Sequence, residues 1–487
     1  MSSSASSTCS HTDPRVKTTF EVVNWDAISS LACKHFQINS SHWGDQKSGG
    51  YNLVRFLHLH DTQNTTLVAR VPLHDEESLD ISISKRIESE VTTMEYVERY
   101  TNIPLPHVCH YSTDADGDVR SPYILMTKVE GIPLVSVWEA MDDEKRRIVL
   151  RQIIGVLLEL WSHRFDKVGA LFKHPGGSEG KDAWYIESST VLANPTDTIG
   201  CQYNLLTTLF PHAADYWLAY SNAYLRNECE TRFGYKAKAY SYAHGWFMRS
   251  LVPALFDPCN DAHGHPLSHG DFHSQNIMFT DLDTHPRLSA VIDWEFSGAE
   301  YVSTFGQYPF FIVDHPWWDE DHPLRERNVR DQATFDEILL EEERTRARVG
   351  GAPLSRIISE SYGVYLFQQV MQFSREMYDP LFPRLVKHVL GEYGDFSYNY
   401  IRKTTLHLLS LLFLMYFDAL LDNGILKKEL ARFDREAEAF LEARRVLGEE
   451  KVKMLIKLVE FKDLVLKELD QFSQEGSVVR EWLVSVA

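Results

Sequence analysis

Between Trp43 and Val129 apolar positions recur in short, partly alternating runs punctuated by glycine: GGYNLVRFLHLH, a polar turn at DTQN, then TLVARVPL. β-Branched and aromatic residues at a period near two predict a small antiparallel sheet. The run SPYILMTKV predicts a further strand, closed by Gly131 and Pro133. From Ile83 to Tyr100 the period changes: apolar residues fall at helical spacing with acidic ones between them, which predicts one helix among the strands. Beyond Gly131 the texture is helical, with amphipathic patterns from Asp142 to Arg164, from Phe335 to Arg348 and from Ser361 onward. One strand pair interrupts it, NIMF and LSAVID, joined by the polar turn DLDTHPR. The pattern is that of an α+β chain, β-rich in its first quarter and α-rich thereafter.

At 487 residues and 44% hydrophobic, the chain has material for two or three domains or for one bilobal enzyme. We divide it into a partly disordered tail or leader at 1–40, a small β-rich lobe at 41–130 and a large helical lobe at 131–487. The 69 acidic against 49 basic residues give a net charge of -20, which repels nucleic acid and anionic membranes and tolerates cationic small molecules. Six scattered cysteines without a CxxC pair fit a reducing compartment. The serine-rich start lacks the apolar core of a secretory signal, so cytoplasm is the expected compartment, with a mitochondrial leader as the alternative. The apolar run Leu406 to Leu421, broken by His407, Ser410 and Asp418, is too short for a membrane span and predicts a buried helix.

The strand pair is framed by His269-Gly270-Asp271, by Asn276, and by Asp293-Trp294-Glu295. Phosphoryl transfer asks little covalent chemistry of a protein: an in-line hydroxyl, a base near it and a divalent metal to neutralise phosphate charge. A carboxylate and an amide five residues apart in a tight loop can aim one oxygen at a hydroxyl and another at a metal. A second carboxylate, brought alongside by the hairpin, completes an oxygen-rich magnesium site.

These residues resemble the HxDxxxxN loop and downstream metal-binding aspartate of kinases, and more closely the HGDxxxxN...IDWE version of aminoglycoside and choline phosphotransferases. GGYNLV, LVARVP, ESEVTTMEYVERYTNIPLP and SPYILMTKVEG are similar to the large fungal branch of that family, over roughly Trp43 to Gly298. The resemblance implies a bilobal protein-kinase-like fold, small and β-rich at the N-terminus and α-helical after it, that uses ATP and Mg2+. It implies Asp271 as the base, His269 as a brace of its loop, and Asn276 and Asp293 as magnesium ligands. Gly49 and Gly50 would lay amides over phosphates, and Arg70, where many kinases carry lysine, would grip them with Glu90 as its partner. Backbone groups near Met126 and Lys128 would meet adenine.

The implied reaction moves the ATP γ-phosphate to a hydroxyl of a small molecule resembling an aminoglycoside, an amino alcohol or another metabolite. The alternative is a pseudokinase-type scaffold; a protein-serine kinase is disfavoured for want of DFG and APE signals. The aromatic stretch Ala183 to Phe247 would suit a cationic head group, although helical aromatic stripes are ordinarily core. His263, His265, His269 and His273 lack the helical setting and accompanying ligands of a zinc site. The charged segment Trp317 to Val349 is expected to be a solvated helix.

Overall fold

The computed structural model describes residues 13–74, 80–174, 183–188, 209–231, 248–313, 321–346 and 350–372, with single positions between and beyond them. The chain divides into two compact units, residues 1–215 with 257–362, and 216–256 with 363–487.

The first unit begins with two helices inside the stretch expected to be a tail. Asp13 caps α1 (Pro14–Val22), its carboxylate accepting from the Arg15 amide at 2.9 Å with Pro14 opening the first turn. Asn24 does the same for α2 (Trp25–Phe36) through the Ala27 amide. Both cover one face of an antiparallel sheet of β1 (Ser41–Ser48), β2 (Asn52–Leu59), β3 (Thr66–Pro72), β4 (Val108–Ser112) and β5 (Tyr123–Thr127), ordered β1-β2-β3-β5-β4. The period of two sorts β3 between two cores. Leu67, Ala69 and Val71 pack with Trp25, Ile28 and Ala32, whereas Val68 lies with Ile87, Val91 and Met94 of α3 (Asp80–Tyr100). Arg70 shares the face of Val68, so the sheet register delivers its side chain to α3 and thus to Glu90.

The strand pair predicted near Asp271 is β11 (Ile277–Thr280) and β12 (Arg287–Val291), antiparallel with Ile277 opposite Val291, and β6 (Ile132–Pro133) adds a third strand. A second five-stranded sheet had no signal that stood out. It is built from β7 (Arg164–Phe165), β10 (His265–Ser268), β13 (Gly298–Ala299), β8 (Gly169–Lys173) and β9 (Trp184–Glu187), in that order. Its Ser268 to Gly298 pairing brings the loop after β10 against the turn after β12.

Under these lies α4 (Asp143–Ser162), capped by Asp142 and burying Val149, Leu150, Ile153, Ile154, Leu157 and Trp161. The charged segment beyond Trp317 is not simply solvated. Its helix Arg325–Thr345 sets Phe335, Ile338 and Leu339 into the core with α4 and pairs along its rim, Glu337 with Arg147 at 2.9 Å and Glu341 with Arg151 at 2.6 Å. Burial of the apolar positions dominates, because such exposed pairs contribute at most about 1 kcal/mol each.

In the second unit, Trp217 and Tyr220 are buried: Trp217 stacks on Phe256 at 5.9 Å between ring centroids and meets Phe367 edge-on at 5.5 Å. These aromatics form core. Tyr203, Tyr235, Tyr240, Tyr242, Trp246 and the run from Leu406 to Leu421 lie outside the described residues. Among the described residues no helix is long and apolar enough to cross a membrane.

Candidate active site

The first unit brings together the polar residues singled out around β11 and β12. Between β10 and β11 the chain turns at Gly270, whose φ is +76°; a Cβ there would stand 2.0 Å from the Phe296 carbonyl oxygen. Only glycine lets the two strand ends approach so closely. Asp271 follows, and Asn276 donates through Nδ2 to its Oδ2 at 2.8 Å and to its carbonyl at 3.0 Å. The amide nitrogen of Asn276 is thereby committed, and its Oδ1 is the atom left to meet a ligand. His273 Nε2 stands 3.4 Å from the other Asp271 oxygen.

His269 is almost wholly buried at 1% exposure. Its Nε2 faces the Ile292 carbonyl at 3.0 Å, and since a carbonyl can only accept, Nε2 carries the proton. Ser297 donates to the His269 carbonyl at 2.7 Å, and Trp294 lies edge-on to the ring at 4.6 Å. His269 thus ties the Asp271 loop to the strand leading to Asp293. Burial lowers its pKa to about 4. Because the folded value lies below the ordinary 6.5, the stability it supports is complete above about pH 6.5 and lost as pH falls toward 4. Denaturant titrations are expected to register a loss of about 3 kcal/mol across that window, and His269→Gln should remove this slope whatever its effect on the plateau. An unchanged slope in the variant would assign the acid sensitivity elsewhere.

Asp293 has φ +66°, in the left-handed region that costs a non-glycine residue about 1–2 kcal/mol. The Trp294 beyond it is fully buried and donates to the Val291 carbonyl at 3.0 Å. That turn leaves Asp293 and Glu295 both facing Arg70. Arg70 bonds Glu90 through Nη1; through Nη2 it bonds Glu295 and meets Asp293 at 3.1 Å. Burial alone would lower the Arg70 pKa, but the three carboxylates outweigh it and hold the guanidinium charged. Burial drives Glu90 upward to about 8 against the pull of Arg70. Asp293 is also raised, first by burial, with Arg70 opposing.

Three residues in this cluster had no role assigned from sequence. Glu295 was visible in the motif but had no evident partner; it also accepts from Asn52 Nδ2 at 2.8 Å and pairs with Arg86 at 3.4 Å. Asn52 sits just past the Gly49-Gly50 turn. There the Gly49 amide closes the turn on the Asn52 carbonyl at 2.9 Å, and Arg15 of α1 reaches the Gly50 carbonyl at 3.2 Å. A Cβ on either glycine would meet nothing within 4 Å, so the turn edges open space.

The Met126–Lys128 segment is partly committed to the sheet. Met126 is buried in the ladder opposite Val68 and Val108, and the Thr127 and Lys128 amides donate to His107 and Thr66 carbonyls at 2.9 and 3.0 Å. Those two amides are spent on the sheet, which leaves the other backbone groups of the segment for a purine edge.

Asn276 Oδ1 and the Asp293 carboxylate are hard oxygen donors of the kind magnesium takes, and Asp293 keeps 43% of its side-chain surface exposed. Among the described residues no three His, Cys, Asp or Glu converge on one point. An oxygen set of one carboxylate and one amide fits Mg2+, which commonly takes one or two protein carboxylates and shares the rest of its shell with substrate phosphates. Beside the loop, Ser274 lines a cavity of about 150 Å³ with Trp138, Glu139, Phe311, Trp318 and Arg327, about the size that accepts a single six-membered ring.

Stretches of the chain are 35% identical over 108 residues to "Altered inheritance of mitochondria protein 9, mitochondrial" of Meyerozyma guilliermondii, covering 22% of this chain and 17% of that one. They are 29% identical over 124 residues to a subtelomeric hrmA-associated cluster protein of Aspergillus fumigatus, covering 26% and 23%. The matches therefore span less than a quarter of those relatives. Among solved structures, a ternary complex of an APH enzyme with streptomycin and ATP aligns with a TM-score of 0.38 at 14% identity, over 74% of this chain and 95% of that one. A macrolide 2'-phosphotransferase of Brachybacterium faecium aligns at 0.37 and 12%, over 73% and 95%. The model of the phosphotransferase enzyme family matches residues 48–303, more than half of the chain, and the protein, with its α+β architecture, belongs to that family.

Proposed function

We propose that this protein transfers the γ-phosphoryl group of ATP to a hydroxyl of a small molecule in a magnesium-dependent reaction. The observation that carries the reading is the convergence of Asp271, Asn276 and Asp293 at one end of the β11–β12 pair, with the Asn276 amide nitrogen locked onto Asp271. Asp271 takes the proton of the acceptor hydroxyl as its oxygen attacks the γ-phosphorus in line and ADP leaves. On this reading Arg70 stabilises phosphate charge, a role supported by Glu90 fixing one arm of its fork. Magnesium, when bound, would be held by Asn276 and Asp293 and would neutralise charge on the phosphates. We place the acceptor in the ring-sized cavity beside Ser274, whose walls combine aromatic rings with Glu139, Arg146, Arg327 and Asn328 and suit a compact polar acceptor.

Electrostatics favour the metal in this reading. Glu90, Asp293 and Glu295 already occupy the guanidinium groups of Arg70 and Arg86, so a triphosphate meets a cluster with little positive charge to spare and gains from a cation of its own. Thermal unfolding is expected to shift upward with Mg·ATP and much less with ATP in EDTA. At about 100 times the dissociation constant the stabilisation is about 2.7 kcal/mol. Asp293→Asn should lose the magnesium-dependent part; an unaltered shift in that variant would remove Asp293 from the metal site. The second reading, a nucleotide-binding or scaffold protein without turnover, draws on the saturation of Arg70 by carboxylates. It would be favoured by Mg·ATP binding without ATP consumption across a panel of amino alcohols, aminoglycosides and other hydroxylated metabolites. The word "mitochondrial" in the names of several fungal relatives supports the mitochondrial alternative for compartment over the cytoplasmic one.

A further inference from the structure

We propose that Glu295 is the positioning residue for Arg70, sharing with Asp293 one arm of its guanidinium fork so that Asp293, only partly engaged by Arg70, stays available to a metal ion. The inference rests on the nucleotide-site reading above and adds a residue to it.

Arg70 has two terminal nitrogens and three carboxylates around it. Glu90 takes Nη1, while Nη2 is divided between Glu295 and Asp293. Glu90 and Glu295 are 2% and 6% exposed, whereas the Asp293 side chain keeps 43% of its surface. The buried pair thus fixes the fork, and the accessible carboxylate is the one with something left to bind. Glu295 is itself anchored from three elements: Asn52 at the start of β2, Arg70 in β3, and Arg86 one helical turn before Glu90 in α3. These donors hold both of its oxygens on the N-terminal sheet and α3. A lysine at position 70 would present one ammonium on a flexible stem, not a planar fork to be shared among fixed partners. The arginine at this place and the Glu295 network therefore act as a matched set.

If the charge of Glu295 is removed, Nη2 keeps Asp293 as its only charged partner among these carboxylates and competes with the cation for it. The test is ATP binding by calorimetry at a series of MgCl2 concentrations, comparing the wild-type chain, Glu295→Gln, Arg70→Lys and the double variant. Glu295→Gln is expected to raise the half-saturating Mg2+ concentration at least about tenfold, as for the loss of one charge-assisted hydrogen bond, while affinity for ATP in EDTA does not fall. In the Arg70→Lys background the same change should add less than about twofold, because no fork remains to be redistributed. A simple loss of negative charge would act equally in both backgrounds.

Equal shifts in the two backgrounds, or a Glu295→Gln titration within about twofold of wild type, would overturn the proposal while leaving the nucleotide site standing. Failure of the wild-type chain to bind ATP at any Mg2+ concentration would overturn both. Should Glu295→Gln fail to fold, Asn52→Ala and Arg86→Met each remove one anchor of Glu295; both are expected to shift the Mg2+ requirement upward, and wild-type titrations in both would refute the assignment.

Discussion

Replacing Asp271 by Ala is expected to slow phosphoryl transfer by about 10²–10⁴-fold, the range contributed by a positioned general base, while Mg·ATP still binds. Asp271 is well placed for this separation of effects. Its side chain keeps 32% of its surface exposed, and its only direct ties are to Asn276 and to His273 among the contacts described. Asp271→Asn, which keeps the shape and gives up the base, should fall nearly as far. Single-turnover measurements with a hydroxyl acceptor found in the panel would decide it, and a rate within about tenfold of wild type would mean that the proton goes elsewhere.

The largest effect on folding is expected from Arg70→Ala. Glu90 and Glu295 would be left buried without their shared cation, a situation that typically costs about 3–5 kcal/mol. The loss should depend on pH in a defined sense. Carboxylates whose folded pKa is raised support the fold most fully below their unfolded values near 4.5, and that support is lost as pH rises through the folded value, which for Glu90 is about 8 even with Arg70 present. Below about pH 8 Glu90 is protonated in the wild type and, without Arg70 to lower its pKa, in the variant too, so the gap should hold steady up to about pH 8 and widen above it. Urea midpoints at about pH 7 and about pH 9 would measure it; a gap that does not widen above about pH 8 would mean that lost packing, not unpaired charge, dominates.

Much of this was legible in the chain because local pattern and local chemistry coincide there. The alternation in β2 and β3, the helical period of α3 and the turn between β11 and β12 announced themselves, and Asp271, Asn276 and Asp293 are close in sequence and close in space. The glycine turn and Arg70 could be placed by order along the strands. What escaped was governed by long-range pairing. The polar β1 owes its place to its ladder with β2, and the two-residue β7 and β13 are too short to show a period. Glu295 meets Arg70 across 225 positions and Asn52 across 243, separations on which no spacing rule operates. The two N-terminal helices were a different omission: Asp13-Pro14 and Asn24 carry ordinary helix-start chemistry that the serine-rich beginning obscured.

The same separation bears on how the protein is made. Arg70 and Glu90 leave the ribosome twenty residues apart, but Glu295 is synthesised about 10–45 s after Arg70 at ordinary elongation rates. Throughout that interval the nascent sheet can hold Arg70 with Glu90 alone, and the tie from Asn52 to the far side of the site has no counterpart. A ribosome halted before residue 295 would therefore carry a sheet whose ion cluster is incomplete, and its completion marks the arrival of the turn after β12.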